Sequence, residues 1–141
     1  MRLPPLLELR DEAAYRKYFS ENYIDGPKIL TFDGIWVKFF PSDFDHAFFE
    51  SISRSARDKS LFSILRAQRM NWISSVLNNG AAELYRYIEN GKLRRIALDP
   101  DEFYLVVIGF PKESSEYAYF VTAYVADSEA TLNNVRANSK W

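Results

Sequence analysis

Residues 102–110 read EFYLVVIGF, and residues 117–125 read YAYFVTAYV. These two stretches decide the fold. The first is an almost unbroken apolar run rich in β-branched and aromatic residues, which predicts a central strand covered on both faces. In the second, Phe120, Thr122 and Tyr124 alternate onto one face, with Val121, Ala123 and Val125 on the other. The stretch ELYRYIENGKLRRIAL precedes them, with Asn90-Gly91 between two strand-like halves. That dipeptide predicts a tight hairpin, although the first half, Glu83 to Tyr87, has no clear period and also suits a helix. After them, DSEATLNNVR beyond Asp127 predicts a short closing helix.

The first half of the chain reads differently. Ala14, Tyr15, Tyr18 and Phe19 recur at helical spacing over Asp11 to Ser20, and Asp25-Gly26-Pro27 ends that pattern. In KILTFDGIWVKFF, Asp33-Gly34 between two β-rich runs predicts a further hairpin. Pro41 ends its second strand. Ser42 and Asp45 then mark the start of a helix whose apolar face is Phe44, Ala47, Phe48 and Ile52. A polar break from Arg54 to Ser60 leads into one longer helix over about Leu61 to Leu77, stopped by Asn78-Asn79-Gly80. Helices grouped early and strands grouped late predict an α+β fold, with helices packed on one face of an antiparallel meander of about four strands.

Composition narrows the chemistry. The chain has 141 residues, 48% of them hydrophobic and 16% aromatic, enough for a single domain with one well-buried core. It has no cysteine, so disulfides, thiolate nucleophiles and thiolate zinc sites are excluded, and a reducing, cytoplasmic setting is expected. The opening MRLPPLLELRDE is too short and too interrupted for a signal peptide. No run approaches the length of a membrane span, so no membrane partner is expected. The formal net charge of −1 hides a pattern. Residues 51–98 carry 9 basic and 3 acidic side chains, whereas residues 1–50 carry 6 and 9, and residues 99–141 carry 3 and 7. A basic middle between acidic flanks reads either as a local polyanion site or as a solvated helix face.

The candidate functional residues are few. His46, in FDHAFFES, is the one histidine, and it lies off the Phe44/Phe48 stripe. It is the side chain whose ordinary pKa suits proton transfer near neutral pH. Arg66, Arg69 and Trp72 follow one another at three-residue spacing, and Arg69 falls beside the apolar stripe. A guanidinium there needs a carboxylate, an aromatic ring or a bound phosphate. The Thr122 and Tyr124 hydroxyls suit either a plain strand or phosphate recognition. The Asp99, Asp101 and Glu102 cluster reads as a solvated turn, so neither a metal nor a cofactor is expected.

Together FDHAF, RAQRMNWI, RRIAL, YLVVIGF and FVTAY resemble the phage-encoded branch of the barnase–EndoU–colicin–RelE nuclease superfamily. The resemblance spans residues 29–141 and leaves residues 1–28 as an N-terminal helical extension. It implies a toxin- or effector-like endoribonuclease that needs no metal and works by general acid–base catalysis. In it His46 would move protons, Arg66 and Arg69 would hold the scissile phosphate, and Thr122 and Tyr124 would supply hydroxyls. Lys38 and Trp72 would contribute charge and base stacking to substrate binding. RNA is the implied partner, with an inhibitor or immunity protein as a second. Several members use two histidines where this chain has one, so a non-catalytic domain of the same fold, binding nucleic acid or a protein, is the alternative.

Overall fold

The structure is a computed structural model that describes residues 3–51, 61–112 and 116–141. Helix α1 (Glu12–Phe19) starts where the Asp11 side chain accepts from the Ala14 N–H, and a π-helical turn, Ser20–Ile24, continues it. Strands β1 (Ile29–Leu30) and β2 (Trp36–Lys38) form an antiparallel pair around the Asp33-Gly34 turn. Helix α2 (Asp43–Phe48) is short because Phe49 turns extended and opens β3 (Phe49–Glu50), which pairs with β4 (Leu61–Phe62). Ile52 and the Arg54–Ser60 break lie outside the described residues.

The expected single helix over residues 61–77 is three elements. After β4 come α3 (Ile64–Ala67), capped by the Ser63 hydroxyl, and α4 (Met70–Leu77). The interruption falls at Gln68 and Arg69. The Gln68 carbonyl accepts from the Leu7 N–H at 2.7 Å, so a tertiary contact with the N-terminal strap sits where the helical ladder breaks.

Four strands follow: β5 (Glu83–Glu89), β6 (Lys92–Leu98), β7 (Tyr104–Gly109) and β8 (Tyr117–Val125). The β5–β6 turn is the expected two-residue hairpin. Glu89 faces Lys92, and Asn90 and Gly91 take φ of 52° and 75°, a left-handed pair that glycine adopts freely. Helix α5 (Glu129–Arg136), capped by Ser128, and a two-residue strand β9 (Ser139–Lys140) complete the chain.

The meander is the centre of a larger sheet than the four strands expected. Seven strands run in the order β1-β2-β8-β7-β6-β5-β9, because β2 joins β8 in parallel and β9 adds to the far edge. Nor do the helices all lie on one face. The main core holds Tyr15, Phe19, Phe44, Phe48, Met70, Ile73 and Leu77 from α1, α2 and α4, packed on Val37, Val106, Ile108, Ala118 and Phe120 of the sheet. The opposite face carries a smaller core of Tyr85, Ile96, Leu98, Leu105 and Val107, covered by Leu132 and Val135 of α5.

In the main core, Phe19 meets Tyr23, Phe39, Phe44 and Phe48 at ring-centroid distances of 5.4–6.2 Å. Residues 12–24 are thus built into the core. No helix among the described residues is long and apolar enough to cross a membrane.

Candidate functional site

One cleft gathers several of the residues singled out in the sequence. It opens where the last residues of β8 run beyond the end of β2, between that strand and α3. Glu50, Ser63, Arg66, Arg69, Tyr104 and Tyr124 line it, with Asp127 at its rim.

Each cation is held differently. Arg66 Nε lies 3.8 Å from Glu50 Oε2, and both side chains are partly exposed, at 34% and 44%. Arg69 donates through a terminal nitrogen to the Leu65 carbonyl at 2.6 Å, and its guanidinium carbon lies 5.1 Å from the Trp72 ring centroid. Its buried Nε has no hydrogen-bond partner among the described residues. Trp72 donates its indole N–H to the Pro4 carbonyl at 2.7 Å and packs edge-on against Tyr104. An aromatic platform fastened to the N-terminal strap therefore props Arg69 toward the cleft.

The hydroxyls have distinct surroundings. Burial raises the Tyr124 phenol above its ordinary value, with Arg66 opposing the rise and Asp127 adding to it. Burial also raises Tyr104, which is wholly enclosed and feels both Arg66 and Arg69 in the opposite sense. Both phenols are therefore protonated donors at neutral pH.

Neither a family model, nor a curated protein, nor a solved structure matches this chain. The reading of the site rests on its geometry.

Among the sequence candidates, Arg66, Arg69 and Tyr124 converge on the cleft; the others lie apart from it. His46 is on the exposed side of α2 and does not line the cleft. Burial raises the nearby Asp43 carboxyl, opposed by the Phe40 N–H and, less, by His46. Thr122 faces the α5 side of the sheet, paired with Val107. Lys38 belongs to a separate hollow by Trp36. Trp72 is 7% exposed, so its ring serves Arg69 and the core and offers no open face to a nucleobase.

A bulge corrects the expected alternation in β8. Ile108 pairs with Phe120, but Val107 pairs with Thr122, leaving Val121 as the extra residue. Phe120 therefore points into the main core with Ala123, while Thr122 and Tyr124 share the other face.

Glu50, Ser63 and Asp127 were not singled out in the sequence. Glu50 enters through the β3–β4 pairing, a contact between residues 11 or more apart with no local pattern to announce it. Among the described residues no three His, Asp or Glu side chains gather where a metal ion would sit.

Proposed function

We propose that this chain is a metal-independent endoribonuclease whose active site is the Glu50–Arg66–Arg69–Tyr124 cleft. The observation that carries the reading is the convergence, in one partly open cleft, of a carboxylate, two guanidinium groups and a half-buried phenol. Those groups match what cleavage at a 2′-hydroxyl requires. Glu50 takes the 2′-hydroxyl proton and the 2′-oxygen attacks phosphorus. The bond to the 5′-oxygen breaks, and Tyr124 returns a proton to that oxygen. Arg66 and Arg69 hold the non-bridging oxygens as their charge grows. The products are a 2′,3′-cyclic phosphate and a 5′-hydroxyl. In this reading His46 takes no part in proton transfer, and the lack of cysteine suits work in the cytoplasm.

The test is incubation of end-labelled single-stranded RNA with the full chain in excess EDTA, with products identified by mass. Cyclic phosphate ends are expected; Glu50→Gln and Arg69→Ala should abolish them, and His46→Ala should not. Activity that needs a divalent ion, or that survives Glu50→Gln, refutes this assignment.

A second reading is favoured by the Arg66–Glu50 ion pair. With each charge already compensated, the cleft would bind an RNA phosphate without cleaving it. That reading predicts RNA bound and recovered intact under the same conditions.

A further inference from the structure

On the α5 side, the described residues cover only half of the sheet. Leu132 and Val135 lie over the end of the sheet carrying Tyr85, Leu98 and Leu105. At the other end the backbone register lines up a row across five strands. Lys38 pairs with Tyr119, Tyr119 with Gly109, Gly109 with Arg94, and Arg94 with Tyr87. Paired residues project to the same face. Val37, Ala118, Ile108 and Leu93, their chain neighbours, point into the main core, so the row faces away from it. Trp36 and Tyr117, paired with each other, begin the next row on the same face. Trp36, Lys38, Tyr87, Tyr117 and Tyr119 are all half-exposed.

Gly109 is the floor of this row. A Cβ there would collide with the Arg94 guanidinium and come within 2.8 Å of Tyr119 Cζ. The missing side chain lets Arg94 lie across the strand and donate to the Tyr119 hydroxyl. Arg94 is also 3.9 Å from Glu89, the one carboxylate among the described residues that pairs with the row.

The two lysines differ from Arg94. Lys28 Nζ lies 4.3 Å from the Trp36 ring centroid, and Lys38 Nζ lies 4.8 Å from Trp36 and 4.6 Å from Tyr117. Among the described residues neither lysine pairs with a carboxylate. Trp36 and Tyr117 have their centroids 6.3 Å apart and are tilted by 50°, so neither ring covers the other.

We propose that this open half of the sheet is a docking platform for a single-stranded nucleic acid, with bases stacking on Trp36, Tyr117 and Tyr119 and backbone phosphates meeting Lys28 and Lys38. Charge complementarity chooses the occupant: uncompensated ammonium groups beside aromatic faces suit a chain that alternates phosphates with flat rings. A base that stacks on Trp36 displaces an ammonium from the ring, and the displaced group then faces the phosphate beside that base. Duplex is disfavoured because its bases are already stacked and its edges lie in grooves a flat sheet does not enter. The platform is a surface separate from the Glu50–Arg66–Arg69 cleft and does not depend on cleavage there.

Fluorescence anisotropy with a labelled oligodeoxythymidine tests this on the full chain. The probe lacks the 2′-hydroxyl, so cleavage at the other site cannot affect the result. Binding is expected, with Trp36→Ala weakening it by on the order of tenfold or more. Lys28→Gln/Lys38→Gln, which keeps the aromatic rings, should lower the slope of log affinity against log salt by about 1.4, at roughly 0.7 per phosphate contact. Lys17→Gln, which removes an exposed cation on α1 that belongs to neither surface, should leave both values unchanged. Circular dichroism establishes that each variant is folded. The proposal is overturned if the probe does not bind, if Trp36→Ala and the double lysine variant both bind like the parent, if the corresponding duplex binds more tightly, or if polyglutamate competes as well as the oligonucleotide, which would mark an acidic-peptide site.

Discussion

Replacing Tyr23 by Phe should change the sign of its effect on stability as pH rises. The Tyr23 hydroxyl is buried, donates to the Met70 carbonyl at 2.6 Å and accepts from the Ser74 N–H at 3.3 Å, so it fastens the π-helical turn to α4. Near neutral pH its loss removes the bond to Met70 and the longer one from Ser74, together worth about 1 kcal/mol. Burial pushes the phenol up from 10.0 to about 12, only partly offset by the hydrogen bonds from Ser74. The neutral form is thus the one the fold prefers. Below about pH 10 Tyr23 is protonated in both states and its contribution is complete. Above that, the unfolded chain gives up its proton first, and stability falls by about 1.4 kcal/mol per unit until the folded value is reached. By about pH 11 this loss exceeds what the two bonds add. The parent should then be less stable than Tyr23→Phe, with the crossover at about pH 10.7. Tyr104 and the other raised tyrosines are present in both proteins and largely cancel in the difference. The assay is urea denaturation followed by tryptophan fluorescence, in steps from about pH 9 to about pH 11.5. A difference that stays constant over that range refutes a buried, neutral Tyr23.

Acid should expose the opposite linkage at Glu83. Its two carboxylate oxygens accept from Arg136 at 2.9 and 2.8 Å, which holds the carboxyl below its ordinary 4.5 against a smaller rise from burial, with Tyr85 adding to the lowering. The stability it adds is therefore complete above about pH 4.5 and is lost as pH falls through the lowered value. Glu83→Gln should be less stable than the parent at pH 7, with the gap closing in acid; an unchanged gap in denaturation midpoints would show that the ion pair carries no linkage. At the β5–β6 turn, Gly91→Ala places a side chain at φ 75°. It should cost about 1–2 kcal/mol, read in a thermal melt as a drop of about 3–7 °C; no drop would mean the turn relaxes to another type.

The fold was legible where local chemistry alone decides the backbone. Asn90-Gly91 supplies two residues that tolerate positive φ, and the hairpin forms there in the expected register. Asp11 and Ser128 each offer a side-chain oxygen to an otherwise unpaired helix N–H, and helices start at both. Legibility stops where the deciding partner is distant in sequence. Leu7 reaches across to the Gln68 carbonyl, and the helix expected through residues 61–77 divides there. Phe49 has the same side chain as Phe48, yet it leaves the helix to pair with Phe62. The sheet grows beyond the meander for the same reason, since β2 joins β8 across some 80 residues of chain.

The candidate site shows the same division in finer detail. Arg69 was recognisable because a guanidinium beside an apolar stripe demands a partner, and Arg66 because it lies one turn away; the structure sets both on one cleft. Tyr124 was singled out as well, but the face it takes was not legible, because strand alternation is a rule about an unbroken strand. One extra residue at Val121 shifts the phase of β8, so Phe120 and Tyr124, four residues apart, project to opposite faces. Had the strand been regular, Tyr124 would share the main-core face with Phe120, and Ala123 would lie on the α5 side. With the bulge, small Ala123 packs in the main core, and Tyr124 is free to reach the cleft at the edge left open where β2 ends. The bulge therefore decides which face Tyr124 takes, and Tyr124 meets Arg66 at the open edge of β8. Deleting Val121 removes only the extra residue and leaves Thr122 directly after Phe120, so Tyr124 should keep its face, its place in the cleft and the burial that raises its pKa. Spectrophotometric titration of the folded deletion variant reads this out. A Tyr124 phenol back at its ordinary value would refute this account of how β8 positions the site.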